Sequence, residues 1–351
     1  MQSLIIRVDA STQIGTGHLM RCLALAQGWK DAGGEAVFIT SCQDEGLLQR
    51  LREEGFDIEL LSGIYPDKTD WNFTRDILAG HPDARVVLDG YHFNEVYQRQ
   101  VKEAGHRVLV IDDNAHLKRY YADIVLNQNL HAEQLRYACE PYTSLLLGTR
   151  YVLLRREFLA WKQVGHREIP EVARRVLVTL GGGDPANSTI KVIQALQEVD
   201  IPDLEATVIV GASNPHADEL EAAARQSRIP IRLVHNARDM AALMAWADVA
   251  VAASGSTFWE LAFMGVPSLV FVLADNQRYL ADVLGKLGLA IVLPGCDDPS
   301  PADIIQAVTR LLERAEIRAG MIRHSQELVD GKGVERVISF IGGWHENTKV
   351  G

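Results

Sequence analysis

Short apolar runs alternate along this chain with longer segments in which apolar residues recur at helical spacing. The runs that predict strands in the first half are Leu4 to Val8, Ala36 to Ile39, Asp57 to Leu61, Arg85 to Leu88, Val108 to Ile111 and Ile124 to Leu126. Helices are predicted from Leu19 to Trp29, closed by Gly33-Gly34, and from Gly46 to Glu54. This alternation is typical of a parallel sheet covered by helices on both faces.

A second alternating series follows a polar stretch from Arg150 to Pro170. Its predicted strands are Val176 to Leu180, Thr207 to Val210, Ile231 to Val234, Val249 to Ala252 and Leu269 to Leu273, with a helix from Met240 to Ala247. A chain of 351 residues exceeds the size at which one core usually stops growing. We therefore expect two Rossmann-like α/β domains, residues 1–165 and 166–351, with the last helix a candidate to cross back to the first.

Composition narrows the classes of partner. The net charge of -11 disfavours binding to nucleic acid or to a membrane surface, although local backbone amides can still bind a small anion. No apolar run approaches the roughly 18 residues of a membrane span. The four cysteines are scattered without metal-ligand spacing, as in a reduced cytoplasmic protein. No metal, other cofactor or obligate protein partner is indicated.

A glycine-rich turn, Ile14-Gly15-Thr16-Gly17-His18, follows the first predicted strand. Gly15 and Gly17 let the backbone approach a ligand, and free amides at a helix start favour a phosphate. The turn is neither a P-loop nor the dinucleotide fingerprint Gly-x-Gly-x-x-Gly. The helix dipole keeps a histidine in the first turn neutral, and a nearby pyrophosphate acts in the opposite sense. His18 is therefore either a general base or an ordinary hydrogen-bonded surface histidine.

Two turns in the second series are suited to an anion. Gly181-Gly182-Gly183-Asp184 leads through Asn187-Ser188 into a helix, and forms either an anion-binding entry or a plain strand-to-helix turn. Ser254-Gly255-Ser256-Thr257 offers backbone amides and hydroxyls. Glu260, one turn into the apolar helix that follows, either accepts the hydroxyls of a ribose or pairs with an Arg or Lys.

Polar residues also follow three other apolar strands, in Asp89-Gly90-Tyr91-His92, Asp112-Asp113-Asn114 and Asp275-Asn276-Gln277. Ligands of open α/β sheets bind where strands end and helices begin, which makes these residues candidates. The adjacent carboxylates Asp112 and Asp113 can act as metal ligands or as acid and base, but adjacent acids more often reflect turn chemistry.

These motifs resemble a known enzyme family. Arg7-Val8-Asp9-Ala10-Ser11, Ile14-Gly15-Thr16-Gly17-His18 and Met20-Arg21-Cys22-Leu23 are similar to the N-terminal signature of the UDP-2,4-diacetamido-2,4,6-trideoxy-β-L-altropyranose hydrolases, a signature shared with spore-coat polysaccharide proteins. Leu88-Asp89-Gly90-Tyr91 and Leu147-Gly148-Thr149-Arg150-Tyr151, the latter followed by Leu153-Leu154-Arg155, are similar to two further blocks of the family. The C-terminal half, from Gly181 to Gln277, also resembles the UDP-GlcNAc transferases that make peptidoglycan lipid intermediates.

The resemblance implies a GT-B architecture, in which two Rossmann-like, doubly wound domains face a cleft, the C-terminal domain holding UDP and the N-terminal domain the sugar. It implies that His18 is the catalytic base, that Tyr91 and Asn276 line the sugar and water site, and that Glu260 binds ribose. The implied reaction is hydrolysis at the anomeric C–O bond with inversion, releasing UDP and a free sugar for pseudaminic acid synthesis. The candidate substrate-binding residues are Gly15, Gly17, Asp89, Tyr91, Arg155, Gly182, Gly183, Asp184, Ser254, Gly255, Ser256, Thr257, Glu260, Asn276 and Gln277.

Three other functions remain to be weighed. A glycosyltransferase on the same fold transfers the sugar to an acceptor instead of water, and the fold does not separate the two reactions. The N-terminal half shows no obvious apolar and basic patch of the kind a membrane-acceptor transferase tends to carry, which favours hydrolysis. A non-catalytic protein that binds a sugar nucleotide needs no base. An NAD-dependent dehydrogenase is disfavoured because the Gly-x-Gly-x-x-Gly fingerprint is absent.

Overall fold

The computed structural model describes residues 3–11, 14–63, 68–163, 168–211, 214–293 and 299–343. It divides into two compact units, the first formed by Met1–Arg156 with Gly331–Gly351 and the second by Glu157–Asp330. The predicted boundary between residues 165 and 166 lies outside the described residues. Among the described residues, no helix combines the length and the apolar character needed to cross a membrane.

The first unit is built on a seven-stranded parallel sheet. Its strands are β1 (Ser3–Val8), β2 (Glu35–Thr40), β3 (Asp57–Leu60), β4 (Arg85–Asp89), β5 (Arg107–Ile111), β6 (Ile124–Asn127) and β7 (Ser144–Leu147). They are arranged in the order β3-β2-β1-β4-β5-β6-β7, so the direction of winding reverses between β1 and β4. Such a reversal opens a crevice at the carboxyl ends of the two central strands, where open α/β sheets bind ligands.

Helices cover both faces of this sheet. They are α1 (Gly17–Asp31), α2 (Glu45–Glu53), α3 (Lys68–Ala79), α4 (Glu95–Glu103) and, from the end of the chain, α13 (Gly333–Gly342). The apolar face of α13 joins the core of the first unit, where Val337 and Ile341 pack in one cluster with Leu23 and Trp29 of α1. Arg85 holds the end of this helix by donating from Nε to the Ile341 carbonyl at 3.0 Å.

The second unit repeats the plan with six parallel strands. These are β8 (Arg175–Thr179), β9 (Glu205–Val210), β10 (Ile231–His235), β11 (Val249–Ala253), β12 (Ser268–Phe271) and β13 (Ile291–Val292), in the order β10-β9-β8-β11-β12-β13. Its helices are α6 (Ser188–Gln197), α7 (Ala217–Gln226), α8 (Met240–Trp246), α9 (Ser256–Met264), α10 (Arg278–Lys286), α11 (Pro301–Glu313) and α12 (Ala315–Gln326), while the short α5 (Arg156–Leu159) spans the junction. The winding reverses between β8 and β11.

The predicted α/β class with two parallel sheets is confirmed. The apolar pattern does not predict α3, α4 or β7, and each departs from a simple periodicity. β7 is an edge strand whose Leu145 is exposed, and α4 buries the polar Gln98 beside Tyr97 and Val101. Cys22 and Cys42 are buried and Cys139 is half-buried, whereas Cys296 lies outside the described residues.

Candidate active site

The winding reversal of the first unit brings together side chains from three elements. The strands β1 and β4 pair in register, with Val8 opposite Asp89, so the turn after β1 and the end of β4 lie at the same edge of the sheet. That turn leads into α1, whose first residues carry His18, Arg21 and Cys22. Residues three and four apart share one face of a helix, so these side chains all point toward the end of β4.

His18 is held by a short hydrogen bond to Asp89. The distance from His18 Nδ1 to Asp89 Oδ1 is 2.6 Å, and Asp89 is fully buried. An ionised carboxylate can only accept, so Nδ1 must carry the proton and Nε2 must carry the lone pair. This arrangement leaves the imidazole ready to take a proton at Nε2, as in the histidine–aspartate pairs of acyl-transfer enzymes.

Arg21 bridges two carboxylates beside this histidine. Its Nε and Nη2 each donate to Asp89 at 2.7 Å, and Nη1 and Nη2 donate to Asp113 at 2.8 and 3.0 Å. The contact of 3.1 Å between Arg21 Nη2 and His18 Nδ1 joins two donors that share Asp89 Oδ1 as their acceptor. Arg21 thus fixes both carboxylates in the plane of one guanidinium.

Charge pairing keeps these buried groups ionised. Burial opposes ionisation of Asp89, but Arg21 and His18 outweigh it and lower the pKa of Asp89 below its ordinary value. Burial likewise opposes ionisation of Asp113, and Arg21 again outweighs it and lowers the pKa. Burial and the neighbouring Asp89 raise the pKa of the Cys22 thiol, which donates from Sγ to Asp89 Oδ2 at 3.4 Å and is thereby kept from acting as a nucleophile.

The charges of this cluster are matched to proton uptake. Two carboxylates and one guanidinium leave one net negative charge while His18 is neutral. An imidazolium formed at His18 would cancel that charge, so the surroundings stabilise the product of a proton abstraction without help from water. The described residues hold no group of three or more His, Cys, Asp or Glu side chains arranged for a metal ion.

Tyr91 and Asn129 complete the cluster around Asp113. The Tyr91 hydroxyl donates to Asp113 Oδ2 at 2.8 Å and Asn129 Nδ2 donates to Asp113 Oδ1 at 2.7 Å. The ring of Tyr91 meets the His18 imidazole edge to face, with centroids 5.2 Å apart, and the residue is 36% exposed. A partly open aromatic ring beside the base is able to contact a bound ligand.

The two candidate glycines of the first unit shape the turn before α1. Gly15 adopts a φ of 80°, a left-handed conformation that favours glycine, and its amide donates to the Ser11 carbonyl at 2.8 Å. Gly17 is the first residue of α1. Arg155 is the residue before α5, near the end of the first unit, and its side chain is buried.

In the second unit the loop after β8 serves its own helix. Asp184 is buried, and its carboxylate accepts from the amides of Ser188 and Thr189 at 2.8 Å each and from the Thr189 hydroxyl at 2.6 Å. These amides begin α6, so the carboxylate already occupies the place that a phosphate would take there. The contacts of Asp184 with Ser188 and Thr189 are those expected of a plain strand-to-helix turn. A role of Asp184 in substrate binding stays a prediction, and it would compete with this capping role.

Gly182 and Gly183 belong to the same loop. A Cβ added at Gly211 would lie 2.3 Å from the Gly182 carbonyl oxygen, so the loop after β8 and the loop after β9 approach each other through bare backbone. Gly183 is buried. Glycine is thus required at position 211 by loop packing, independently of any ligand.

The helix α9 begins differently. Its N-cap is Gly255, which supplies no side-chain cap, and the residues Ser256 and Thr257 that follow are half-buried. Glu260 is half-buried one turn further along. The Gly255 amide donates to the Ala253 carbonyl at 2.9 Å, so Ser256 and Thr257 are the residues whose amides remain candidates to bind an anion here.

The loops after β11 and β12 are tied together at this end of the sheet. Ser254 is buried and donates from Oγ to the Gln277 carbonyl at 3.3 Å, while Gln277 Oε1 accepts from the Leu273 amide at 2.9 Å. Gln277 and Asn276 lie in a 3-10 turn, Asp275–Gln277, and the side chain of Asn276 lies outside the described residues. A cavity of about 220 Å³ lies between the loop after β12 and the loop after β8, and it is bordered by Asp275 and Asp184.

The structure thus brings His18, Asp89 and Tyr91 together in the first unit and gathers Asp184, Ser254 and Gln277 around the reversal point of the second. Sequence reasoning named Asp113 as a candidate without its partner, gave Arg21 no role of its own, and missed Asn129. The available signal for Arg21 was its spacing, because a residue three positions after His18 lies on the same face of the helix. An arginine on that buried face is costly unless it is paired with an acid, so the sequence could have indicated an acidic partner. Asp112 shows the turn chemistry that its adjacency suggests, because its carboxylate accepts from the amides of its own loop.

Part of this chain is similar to a known family of glycosyltransferase domains. Residues 175–337 match the family described as the glycosyltransferase family 28 C-terminal domain. Among solved structures, MurG of Acinetobacter baumannii is similar with a TM-score of 0.67 and 16% identity, over 97% of this chain and 99% of that one. The fold of this chain is GT-B, with two parallel-sheet α/β domains.

Curated relatives are similar to this chain over most of its length, at 23–27% identity. The uncharacterised protein MJ1062 of Methanocaldococcus jannaschii is 27% identical over 80% of this chain, which spans only 57% of that longer protein. The spore coat polysaccharide biosynthesis protein SpsG of Bacillus subtilis is 25% identical over 97% of this chain and 98% of its own length. The UDP-2,4-diacetamido-2,4,6-trideoxy-β-L-altropyranose hydrolase of Campylobacter jejuni is 23% identical over 82% of this chain and 98% of its own.

Proposed function

We propose that this chain is an enzyme that hydrolyses a UDP-sugar at the anomeric C–O bond and releases UDP and the free sugar. The observation that carries the proposal is the position of the His18 imidazole. Asp89 holds its Nδ1, and the net negative charge of the Asp89–Arg21–Asp113 cluster balances the positive charge that His18 gains when it takes up a proton. Such a group is suited to abstracting a proton from water. The name of the Campylobacter jejuni relative supports a UDP-linked 2,4-diacetamido-2,4,6-trideoxy sugar as the substrate.

In the proposed reaction, water attacks the anomeric carbon in line with the departing UDP oxygen. His18 Nε2 takes a proton from that water as positive charge develops on the sugar ring. The amides of Ser256 and Thr257 at the start of α9 stabilise the charge that grows on the diphosphate, and Glu260 holds the ribose. Tyr91 and Asn276 orient the sugar and the water, so part of the rate comes from positioning. A single displacement inverts the anomeric centre.

Hydrolysis in oxygen-18 water tests the bond that breaks. Attack at carbon leaves the β-phosphate of the released UDP unlabelled, and mass spectrometry of UDP reads this directly because phosphate oxygens do not exchange. Label in the UDP would mean attack at phosphorus and would overturn the scheme. Rapid NMR of the sugar product should show the inverted anomer before mutarotation.

Substitution of the base tests the role of His18. We expect His18→Gln to lower kcat by about 10²–10⁴ while the affinity for UDP stays unchanged. His81→Gln is the matched control, since His81 lies in the turn before β4, at the opposite end of the strand from Asp89. Equal loss in both variants would remove the special role of His18.

Glycosyl transfer is the second candidate function, favoured by the family 28 match over residues 175–337. In that reaction His18 would deprotonate an acceptor hydroxyl instead of water. UDP release that depends on an added acceptor, with no free sugar formed, would support transfer over hydrolysis.

A further inference from the structure

His116, on the loop after β5, has an acceptor at each ring nitrogen. Its Nδ1 lies 2.9 Å from Asp112 Oδ1 and its Nε2 lies 3.1 Å from the Tyr91 carbonyl oxygen. A neutral imidazole carries one N–H and can satisfy only one of these acceptors. Both contacts are hydrogen bonds only when His116 is the doubly protonated imidazolium.

Asp112 is a fixed anchor for one side of this ring. Its carboxylate accepts from the Ala115 amide at 2.7 Å and from the hydroxyls of Tyr120 and Tyr137 at 2.9 and 2.8 Å. Ala115 adopts a φ of 52°, a left-handed conformation that is unfavourable for a non-glycine residue. This strained turn lets His116 reach back to the carboxylate four residues before it, and such strain is concentrated at functional sites.

Tyr91 lies on the other side of the ring and connects it to the candidate active site. While His116 donates to the backbone of Tyr91, the Tyr91 hydroxyl donates to Asp113 and the Tyr91 ring contacts His18. The Tyr91 ring also meets the His116 ring edge to face, with centroids 5.7 Å apart. Tyr91 is therefore held between two imidazoles, one of which is the proposed base.

We propose that His116, in its doubly protonated form, is a positioning residue that holds Tyr91 against His18 and Asp113, so that turnover needs a neutral His18 and a charged His116. This inference rests on the proposed function for its kinetic part. It does not require His116 to touch the substrate. Loss of one proton from His116 removes one of its two hydrogen bonds and releases one anchor of the Tyr91 loop.

The groups around His116 favour its charged form. The hydrogen bond that His116 donates to Asp112 raises the pKa of His116 above its ordinary value of 6.5. Burial lowers this pKa, and the negative charge of Asp113 raises it further. The other titratable or charged groups on the elements around this contact are Tyr91 and His92 on the loop after β4, Glu95 on α4, Lys118, Arg119, Tyr120 and Tyr121 on the loop of His116 itself, Tyr137, and Arg21 and His18 on α1. Since the charged form is the one that anchors Tyr91, anchoring is complete at low pH and is lost as pH rises through the raised pKa.

The pH dependence of kcat and KM tests the proposal. For the wild type we expect kcat to fall on the alkaline side, as His116 loses its second proton at a pKa that Asp112 raises. His116→Gln keeps an amide donor that does not titrate, so we expect kcat to drop by about two- to tenfold and the alkaline fall to disappear. His116→Ala should lose more in kcat. An alkaline fall that persists unchanged in His116→Gln would overturn the proposal.

NMR of the enzyme without substrate separates this inference from the proposed reaction. With labelled histidine, His116 should show protons on both ring nitrogens at pH 6, and the ring signals of Tyr91 and His18 should shift along the His116 titration. Asp112→Asn should lower the pKa of His116. If these shifts occur but no UDP-sugar is hydrolysed, the proposed function fails and the contact stands. If His116 titrates while Tyr91 stays still, the positioning role fails.

Discussion

The two units of this protein share one architecture and carry opposite chemistry at the same place in it. At the winding reversal of the first unit, charged side chains are paired with one another before any ligand is bound, with Arg21 joining Asp89 to Asp113 beside His18. At the reversal of the second unit, α9 begins from Gly255 without a side-chain cap. Backbone amides and hydroxyls predominate there.

This difference teaches what each kind of task demands of a site. A proton-transfer group needs its tautomer and its charged form settled in advance, which takes permanent charges in fixed positions. An anion-binding site needs donors that no neighbouring side chain has already taken. The sheet supplies the same crevice for both, and the residues at its edge decide which task is possible.

The largest effect should come from breaking the charge pairing of the first unit. Asp89→Asn permits the wrong tautomer of His18, and we expect kcat to fall by about 10²–10⁴, since the equivalent change in a Ser-His-Asp triad costs about 10⁴. The affinity for UDP should not change. Steady-state kinetics and calorimetry of UDP binding measure the two quantities.

Asp123→Asn is the matched control for that variant. Asp123 is also a buried carboxylate paired with basic residues, Lys102 at 2.8 Å and Arg107 at 3.3 Å, but it precedes β6 at the other end of the sheet. It should lower stability without lowering kcat. A similar kcat loss in both variants would attribute the effect to destabilisation.

The next largest effect should be that acid destabilises the first unit more than the second. In the first unit the pKa values of Asp9, Asp89, Asp112 and Asp113 are all lowered against burial by their hydrogen-bond and charge partners, whereas among the described residues of the second unit only Asp248 is clearly lowered. A lowered pKa stabilises the fold above the ordinary value of 3.8, and that stability is lost as pH falls through the folded value.

Hydrogen exchange below pH 3.8 measures this difference. We expect β1, β4 and β5 to lose protection before β8 and β11. Simultaneous loss in both sheets would show that the paired carboxylates do not dominate the acid response.

A smaller effect is expected from the second unit. If Glu260 accepts the ribose hydroxyls, Glu260→Gln should weaken UDP binding roughly 10- to 100-fold and raise KM with little change in kcat, since a hydrogen bond to a charged group contributes about 1.5–3 kcal/mol. The effect should vanish for a UDP analogue that lacks both ribose hydroxyls. Glu313→Gln, at the exposed end of α11, is the control.

The smallest effect concerns Asp184. Its carboxylate caps α6, so Asp184→Ala should lower the free energy of unfolding by about 1–2 kcal/mol and leave UDP affinity nearly unchanged. Asp239→Ala removes a similar cap, the one that accepts from the Ala242 amide of α8. Weaker UDP binding in Asp184→Ala alone would restore the binding role that the sequence predicts for this residue.

The sequence by itself determined the fold class and the turns that matter. Apolar runs such as Leu4 to Val8 and Val249 to Ala252 became central strands because a strand buried on both faces must be apolar throughout, and this is visible in the residues alone. The family signature led to His18 and Asp89 before any contact was known. Edge strand β7 escaped notice because its short run Ser144–Leu147 does not alternate apolar and polar residues, whereas the edge strand β3 does alternate and is predicted.

Only the tertiary structure decided how the candidate residues are used. Asp89 and Asp113 lie 68 and 92 residues from Arg21 in the chain, and no local pattern states that one guanidinium will hold both. The apolar stripe of α13 shows that this helix must be covered, but not that α1 of the first unit covers it. Periodicity reports which side chains are buried, whereas their partners depend on the order in which the strands assemble.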